Sequence, residues 1–459
     1  MMYRGRNSGS SHGPSRGRTS WQGSWRGRGA SWCKGEDKAF KAAVDESPFG
    51  RLITEIPLED TKSFSTPAGD AKISECKYMA SYSLIDSPQK IAIPGQPAAW
   101  DPPQLPSQLA GDYGEYLRDQ NGAMFPDYPM QPSVQAIFAL HQGFDPSSID
   151  IMGCASTLGD ILRFTRSVDS TFRFDVEMVG NTLFLIRNCK NQVIPDVRGY
   201  GHSFLDAFTS YGSTVDGTKS HQRIVAYSFG RMKCLVRFEC DGYFTSKDGI
   251  STKVSGPESL NLLEPSTPNS ITAKMAGKIV PQDTILEIKT LSQARGQIEK
   301  SEHLPRLWLR QITNFITAYH IRGSFEEVNK ASIEEELVNW EIEHEPELQD
   351  FASILRRIIV EVKRVSHLKL ELCRAGLGSL QLIERRGKPR QALPSEWMEI
   401  WNPQPPCELG KDAQDRLSDE EDNGCYPHDI LSESEDSEDD FSLDFTACDL
   451  SCGYCGHCG

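Results

Sequence analysis

The sequence predicts an α/β or α+β protein, a mixed sheet flanked by helices, with disordered N- and C-terminal tails. Three observations predict it. Residues 150–250 alternate apolar and polar side chains as half-buried strands do. Beyond about residue 300, apolar residues recur at helical spacing. Finally, hydrophobic residues are only 38% of the 459, and the deficit lies at the two ends.

Charge divides the chain in the same way. Residues 1–34 hold seven Arg or Lys and no acid, whereas residues 411–444 hold fourteen Asp or Glu against Lys411 and Arg416. With a total of −15, the middle is still acidic and does not advertise a broad nucleic-acid surface, so any basic groove would have to be local. No apolar run is long enough to cross a bilayer and no signal-like apolar stretch opens the chain, which leads to the expectation of an intracellular protein, nuclear or cytoplasmic, with no membrane partner. Thirteen cysteines, dispersed except for the last four, suit a reducing compartment.

Residues 1–45 are rich in Gly, Ser and Arg, with Trp21, Trp25 and Trp32 interleaved. Such a segment buries too little apolar surface to order itself, and it is either a flexible leader or a contact for single-stranded RNA. Residues 46–132 carry many prolines between short apolar pieces and read as an extended arm packed on the core. The core is expected over 133–372. It opens with the helical "SVQAIFALH", continues with "TFRFDVEMV" and "NTLFLIRN" across the hairpin signal Gly180-Asn181, and then with "CLVRFECDGY" and "DTILEIKT". A helix is expected over about 304–320 and a second helical region over about 325–372. Residues 373–410 read as a linker, 411–447 as an acidic disordered tail and 448–459 as a Cys-rich end.

Chemistry concentrates in two short strands. Residues two apart share a strand face, so Glu239 and Asp241 project together, as do Glu287 and Lys289. If the two strands are neighbours, three carboxylates and an ammonium converge. Such a cluster calls for a divalent cation, and oxygen-only ligation favours Mg²⁺ or Mn²⁺. The plainer alternative is a wet strand face with alternating charge.

E-x-D followed by E-h-K, with h apolar, and then by the tryptophan- and glutamine-bearing "LWLRQITNF" resembles the decapping exonuclease family, of PD-(D/E)XK nuclease type. "FRFDVEMVGNTLFLIRN" resembles that family's strand pair ahead of the site. The resemblance covers about 150–325. It implies a metal-dependent hydrolase acting on RNA 5′ ends, with Glu239, Asp241 and Glu287 as metal ligands and Lys289 and Gln311 as catalytic groups. The family's G-h-x-aromatic-E motif reads "GHSFLD" here, so Leu205 stands at the expected glutamate and Asp206 is the candidate replacement ligand. The family's upstream arginine-glycine pair has no arginine in "GCASTLGDIL". These departures leave open a catalytically inactive RNA-binding or adaptor protein on the same fold.

"IPDVRGYGHSF" and "SHQRIVAYSFG" also resemble uncharacterised fungal proteins often labelled geranylgeranyl pyrophosphate synthetase. That chemistry needs two facing aspartate-rich motifs in an all-helical bundle, and "DDFSLD" at 439–444 is the only candidate. His202 and His221 invite a general-base role, but a histidine beside a turn glycine is more often structural or merely exposed, and both are left out of the catalytic set. In "CDLSCGYCGHCG", Cys448, Cys452, Cys455 and Cys458 have spacings that can wrap one zinc ion, against the reading of a mobile tail.

Overall fold

Alternation along "FRFDVEMV" produces a strand, Phe172–Val179, and Gly180-Asn181 turns the chain back into Thr182–Ile186. Gly180 has φ +61°, a left-handed conformation that glycine adopts without the Cβ penalty. In this computed structural model the described residues run from 49 to 403, apart from 60–66, 68, 88, 189–192, 196, 216, 246–270 and 388–389. The expectations for the arm at 1–45, the acidic tail, the terminal cysteines and "DDFSLD" lie outside the described residues.

The strands of four or more residues are β1 (Leu52–Ile56), β2 (Ile73–Ile85), β3 (Lys90–Gly95), β4 (Ile151–Cys154), β5 (Phe172–Val179), β6 (Thr182–Ile186), β7 (Thr218–Phe229), β8 (Met232–Glu239), β9 (Thr272–Gly277), β10 (Ile285–Ser292), β11 (Asn314–Ile321), β12 (Ser324–Ser332), β13 (Leu370–Arg374) and β14 (Leu380–Glu384). Eleven of them form one mixed sheet in the order β1-β14-β13-β5-β6-β4-β8-β7-β2-β3-β9. A seven-stranded sheet joins β10, β11 and β12 to the short pieces Thr209–Ser210, Ala99–Trp100, Gly242–Tyr243 and Ser107–Gln108. The longer helices are α1 (Gln131–Leu140), α2 (Ala155–Thr165), α3 (Gly201–Phe208), α4 (Lys300–Arg310), α5 (Glu334–Glu343), α6 (Glu345–Arg364) and α7 (Ser395–Trp401).

Helices cover both faces of the large sheet. In β6, Leu183 and Leu185 face the cluster of Leu158, Ile161, Trp308, Phe351 and Leu355, drawn from α2, α4 and α6. Phe184 and Ile186 face the opposite cluster, where Val134, Ile137, Trp397 and Trp401 come from α1 and α7. A strand buried on both sides reads as a continuous apolar run, which is what "TLFLI" is. A third cluster packs α3, through Phe204 and Phe208, on Leu286, Ile288 and Ile316 of the smaller sheet. The centre is thus built on sheets and not on the all-helical bundle that the prenyl-diphosphate chemistry requires. Among the described residues no helix is long and apolar enough to cross a membrane.

Four expectations of local structure are corrected. The helix expected over 304–320 stops at Arg310, and "NFITAYHI" is strand β11, parallel to β10. Its β-branched and aromatic residues fit helical spacing but prefer a pleated, buried surface. The region expected to be helical from 325 opens with β12, joined to β11 through Arg322-Gly323 with φ values of 50° and 85°. The proline-rich segment contains β2, the longest strand, paired on both sides by β7 and β3, and the stretch read as a linker contributes β14 and the buried Trp397 and Trp401. Polar and sulfur-bearing residues in "ISECKYMASYSLI" dilute the apolar signal, although Tyr82 and Leu84 are fully buried.

Candidate functional site

Strands β4, β6 and β8 are parallel neighbours, so Cys154, Ile186 and Glu239 mark three carboxyl ends at one edge of the sheet. In open α/β sheets such an edge is where ligands bind. Helix α2 starts at Ala155, directly after β4, and turns its N-terminus toward this edge, where the helix dipole favours anions.

From Glu239 the chain crosses to the smaller sheet. Gly242 pairs with Leu286 and Tyr243 with Ile285, and Asp241 Oδ2 accepts the Ile288 N–H at 2.8 Å. The E-x-D segment is therefore clamped against the E-h-K strand through Asp241, whereas Glu239 ends β8 in the larger sheet and is linked electrostatically to Asp241. Glu287 is 1% exposed, and its carboxylate is surrounded by cations. Lys289 Nζ lies 3.2 Å from Oε1, Arg310 Nη1 donates to Oε2 at 3.1 Å, and Arg306 Nη2 also donates to Oε1. Arg306 and Arg310, four apart on α4, rise on one face of the helix.

The three acids feel different surroundings. Burial alone would raise the Glu287 carboxyl, but Arg306, Lys289 and Arg310 outweigh it and hold it down at about 2. Burial, then Glu287, push Asp241 up to about 6 against the pull of Lys289. Burial, then Asp241 and Asp119, push Glu239 up to about 7, with Arg310 and Arg187 opposing.

Two expected members stand elsewhere. Gln311 caps α4 in the left-handed region, φ 53° and ψ 47°, and its Nε2 donates back to the Trp308 carbonyl at 2.7 Å. The side chains of α4 that reach Glu287 are those of Arg306 and Arg310. Leu205 packs against the aromatic cluster of the smaller sheet, and Asp206 is exposed on α3, closest in its electrostatics to Asp112. Tyr211 lies between these parts: burial, then Glu239, Cys240, Asp206 and Asp241, all push its phenol up. His221 is buried against Ser83 Oγ at 3.0 Å, and His202 stacks on Tyr116 with ring centroids 3.7 Å apart.

Sequence reasoning missed a cationic group beside the acids. Arg237, Arg187 and Arg390 all act on the buried Asp119, which stays below the usual carboxylate range although burial works the other way. Arg237 lies 3.9 Å from Asp119 and donates to the Pro129 carbonyl at 3.1 Å and to Cys154 Sγ at 2.9 Å. Arg390 donates to the Arg187 carbonyl at 3.2 Å. A local signal was present for some of the site's cations: Arg237 is two residues before Glu239 on the same strand face, and Arg306 and Arg310 share a helix face.

The divalent cations that the resemblance implies do not fit these residues as placed. Both oxygens of Glu287 are engaged by protein cations, Leu205 supplies no donor, and Asp206 sits with Asp112. Among the described residues no group of three or more His, Cys, Asp or Glu is arranged to hold a metal ion.

The fold is one that solved Rai1 structures share. It is similar to Rai1 of Scheffersomyces stipitis, solved in complex with (3′-NADP)⁺ and calcium ion, at 11% identity over 77% of this chain and 98% of that one, with a TM-score of 0.50. Rai1 of S. pombe, a mutant in complex with 3′-FADP, is similar at 14% identity, 72% and 99% coverage and a TM-score of 0.48. Rai1 of Candida albicans in complex with pU5-Mn²⁺ is similar at 12% identity, 76% and 98% coverage and 0.47. No curated protein sequence matches the chain significantly. Residues 53–369 match a domain of unknown function, DUF8563, and the chain belongs to that family.

Proposed function

We propose that the protein binds the 5′ end of RNA at this site, as a recognition module that keeps the nuclease fold without its metal-dependent hydrolysis. The observation that carries the reading is the Glu287 carboxylate, whose two oxygens are held by Lys289, Arg306 and Arg310. Protein cations occupy the place where a hydrolase would need a metal-ligating oxygen.

Support for an anionic, nucleotide-like ligand comes from the α2 N-terminus and from Arg187, Arg237 and Arg390 around the same strand ends. The S. stipitis Rai1 structure, with its (3′-NADP)⁺, points to the same ligand class. An RNA terminus brings phosphate for the cations and bases for stacking.

The reading is tested by measuring affinity for 5′-monophosphate, 5′-triphosphate and 5′-hydroxyl RNAs of one sequence, in EDTA and in Mn²⁺. Tighter binding of the phosphorylated ends, unchanged by EDTA, is expected. Equal affinity for all three ends, or binding that requires Mn²⁺, contradicts it. The specific observation favouring hydrolysis is the Glu239–Asp241 pair, whose mutual repulsion a divalent ion would relieve.

A further inference from the structure

The position of Arg310 on Glu287 depends on how the end of α4 is held. A helix leaves its last four carbonyls without partners of its own, and α4 ends on the residue whose side chain reaches Glu287. Side chains from other elements take those carbonyls. Tyr227, in β7, donates its hydroxyl to the Leu309 carbonyl at 3.3 Å. Gln282 Nε2 donates to the carbonyls of Arg310 at 3.1 Å and Gln311 at 2.9 Å. Gln282 opens the 3₁₀ turn Gln282–Thr284, which runs directly into β10. One amide therefore ties the helix end that carries Arg310 to the strand that carries Glu287.

The amide is itself aimed. Arg223 Nε donates to Gln282 Oε1 at 2.6 Å, and because a guanidinium can only donate, this bond fixes which end of the amide faces α4. Arg223 is fully buried, lies over the Tyr78 ring at 4.5 Å and gives its Nη2 to the Val280 carbonyl at 2.8 Å. Its Nη1 has no partner among the described residues, an arrangement that costs stability.

We infer that Gln282 is a positioning residue that keeps the site closed to divalent metal: oriented by Arg223, it seats the end of α4 so that Arg310 covers Glu287 Oε2. Moving that end by about 1 Å would carry the Arg310–Glu287 contact out of hydrogen-bonding range. The inference rests on the reading of Glu287 as held by protein cations, and adds the residue that enforces it.

The test uses the full chain. Gln282→Glu keeps the acceptor for Arg223 and loses the two donated bonds, whereas Gln282→Met loses both and brings no new carboxylate. NMR of ¹⁵N-arginine protein reads Arg310 directly, its guanidinium signal identified by its absence from Arg310→Gln. In Gln282→Glu that signal should shift and exchange faster with water, and an unchanged signal overturns the inference. Calorimetric titration with Mn²⁺ reads the consequence. Each Gln282 variant should bind Mn²⁺ about tenfold more tightly than the wild type, the scale of an outer-shell change. Gln282→Glu/Arg310→Gln should gain no more than Arg310→Gln alone, because Gln282 acts through Arg310. A gain in Arg310→Gln with none in the Gln282 variants, or a fully additive gain in the double variant, overturns it. Where Gln282→Met does not fold, Gln282→Glu decides. If the wild type binds Mn²⁺ as tightly as Arg310→Gln, the cation-held reading of Glu287 fails by itself, and the Arg310 signal alone decides the role of Gln282.

Discussion

Arg310, in the last turn of α4, donates to Glu287, in the middle of β10, across 3.1 Å, and the two side chains are 5% and 2% exposed. A carboxylate and a guanidinium that both leave water depend on each other, and removing one partner strands the other. This pair, with Arg306 and Lys289 beside it, gives the acid centre its character.

The first prediction follows from that dependence. Arg310→Gln removes a charge but keeps a polar side chain, so it should free Glu287 Oε2 and give the site an affinity for divalent metal that the wild type lacks. Thermal unfolding with and without Mn²⁺ checks this: no shift for the wild type and an upward shift for the variant are expected. A wild-type shift as large as the variant's would show that the arginines do not replace the ion.

The pH dependence has a definite sign. Glu239 and Asp241 hold protons more tightly folded than unfolded, so their contribution is full below about pH 4 and is lost as pH rises to about 7. Glu287 is shifted the other way, and its contribution is present above about pH 4.5 and lost as pH falls toward 2. The trio therefore favours maximal stability near pH 4–5 (about where the opposing terms cross). A melting profile from acid to neutral pH should decline above that point, and Glu239→Gln should flatten the decline.

RNA binding should carry an electrostatic signature. Neutralising one phosphate-binding cation lowers the salt slope of single-strand binding by about 0.7. Arg187→Ala and Arg390→Ala should each reduce that slope and weaken all 5′-phosphorylated RNAs alike. An unchanged slope in both variants would place the RNA elsewhere.

Packing of α4 sets the geometry of the two arginines. Trp308 is 1% exposed, and its indole N–H donates to Glu341 Oε2 at 2.7 Å. Trp308→Ala should cost about 3–5 kcal/mol, read by denaturant unfolding, and should lower RNA affinity with it. Trp308→Phe keeps most of the apolar volume and should recover the larger part of both.

The sequence was legible where pattern and burial agree. Phe172 to Ile186 alternate or run apolar around Gly180, and the hairpin stands as read. Glu287 and Lys289 share a face of β10 as period two dictates, whereas β8 ends at Glu239, so Asp241 reaches β10 through the crossing at Gly242 and not through a shared strand face. Ile312 to Tyr319 were misread because apolar residues at helical spacing also suit a strand buried on both faces, and only the left-handed Gln311 separates the two. That same cap turned Gln311 away from the site. Arg187 and Arg390 are more than 200 residues apart and meet only through the sheet, at 3.2 Å, so no local pattern announces them.

The central claim is that protein cations, and not a divalent ion, neutralise Glu287. The measurement that tests it most directly is the fate of 5′-triphosphate RNA incubated with the purified, folded protein in Mg²⁺ and in Mn²⁺, beside a Glu287→Ala/Lys289→Ala control. The account predicts RNA of unchanged length and unchanged 5′ end in every sample. Metal-dependent loss of the end or of the chain that disappears in the control would contradict it and make this strand pair a working nuclease centre.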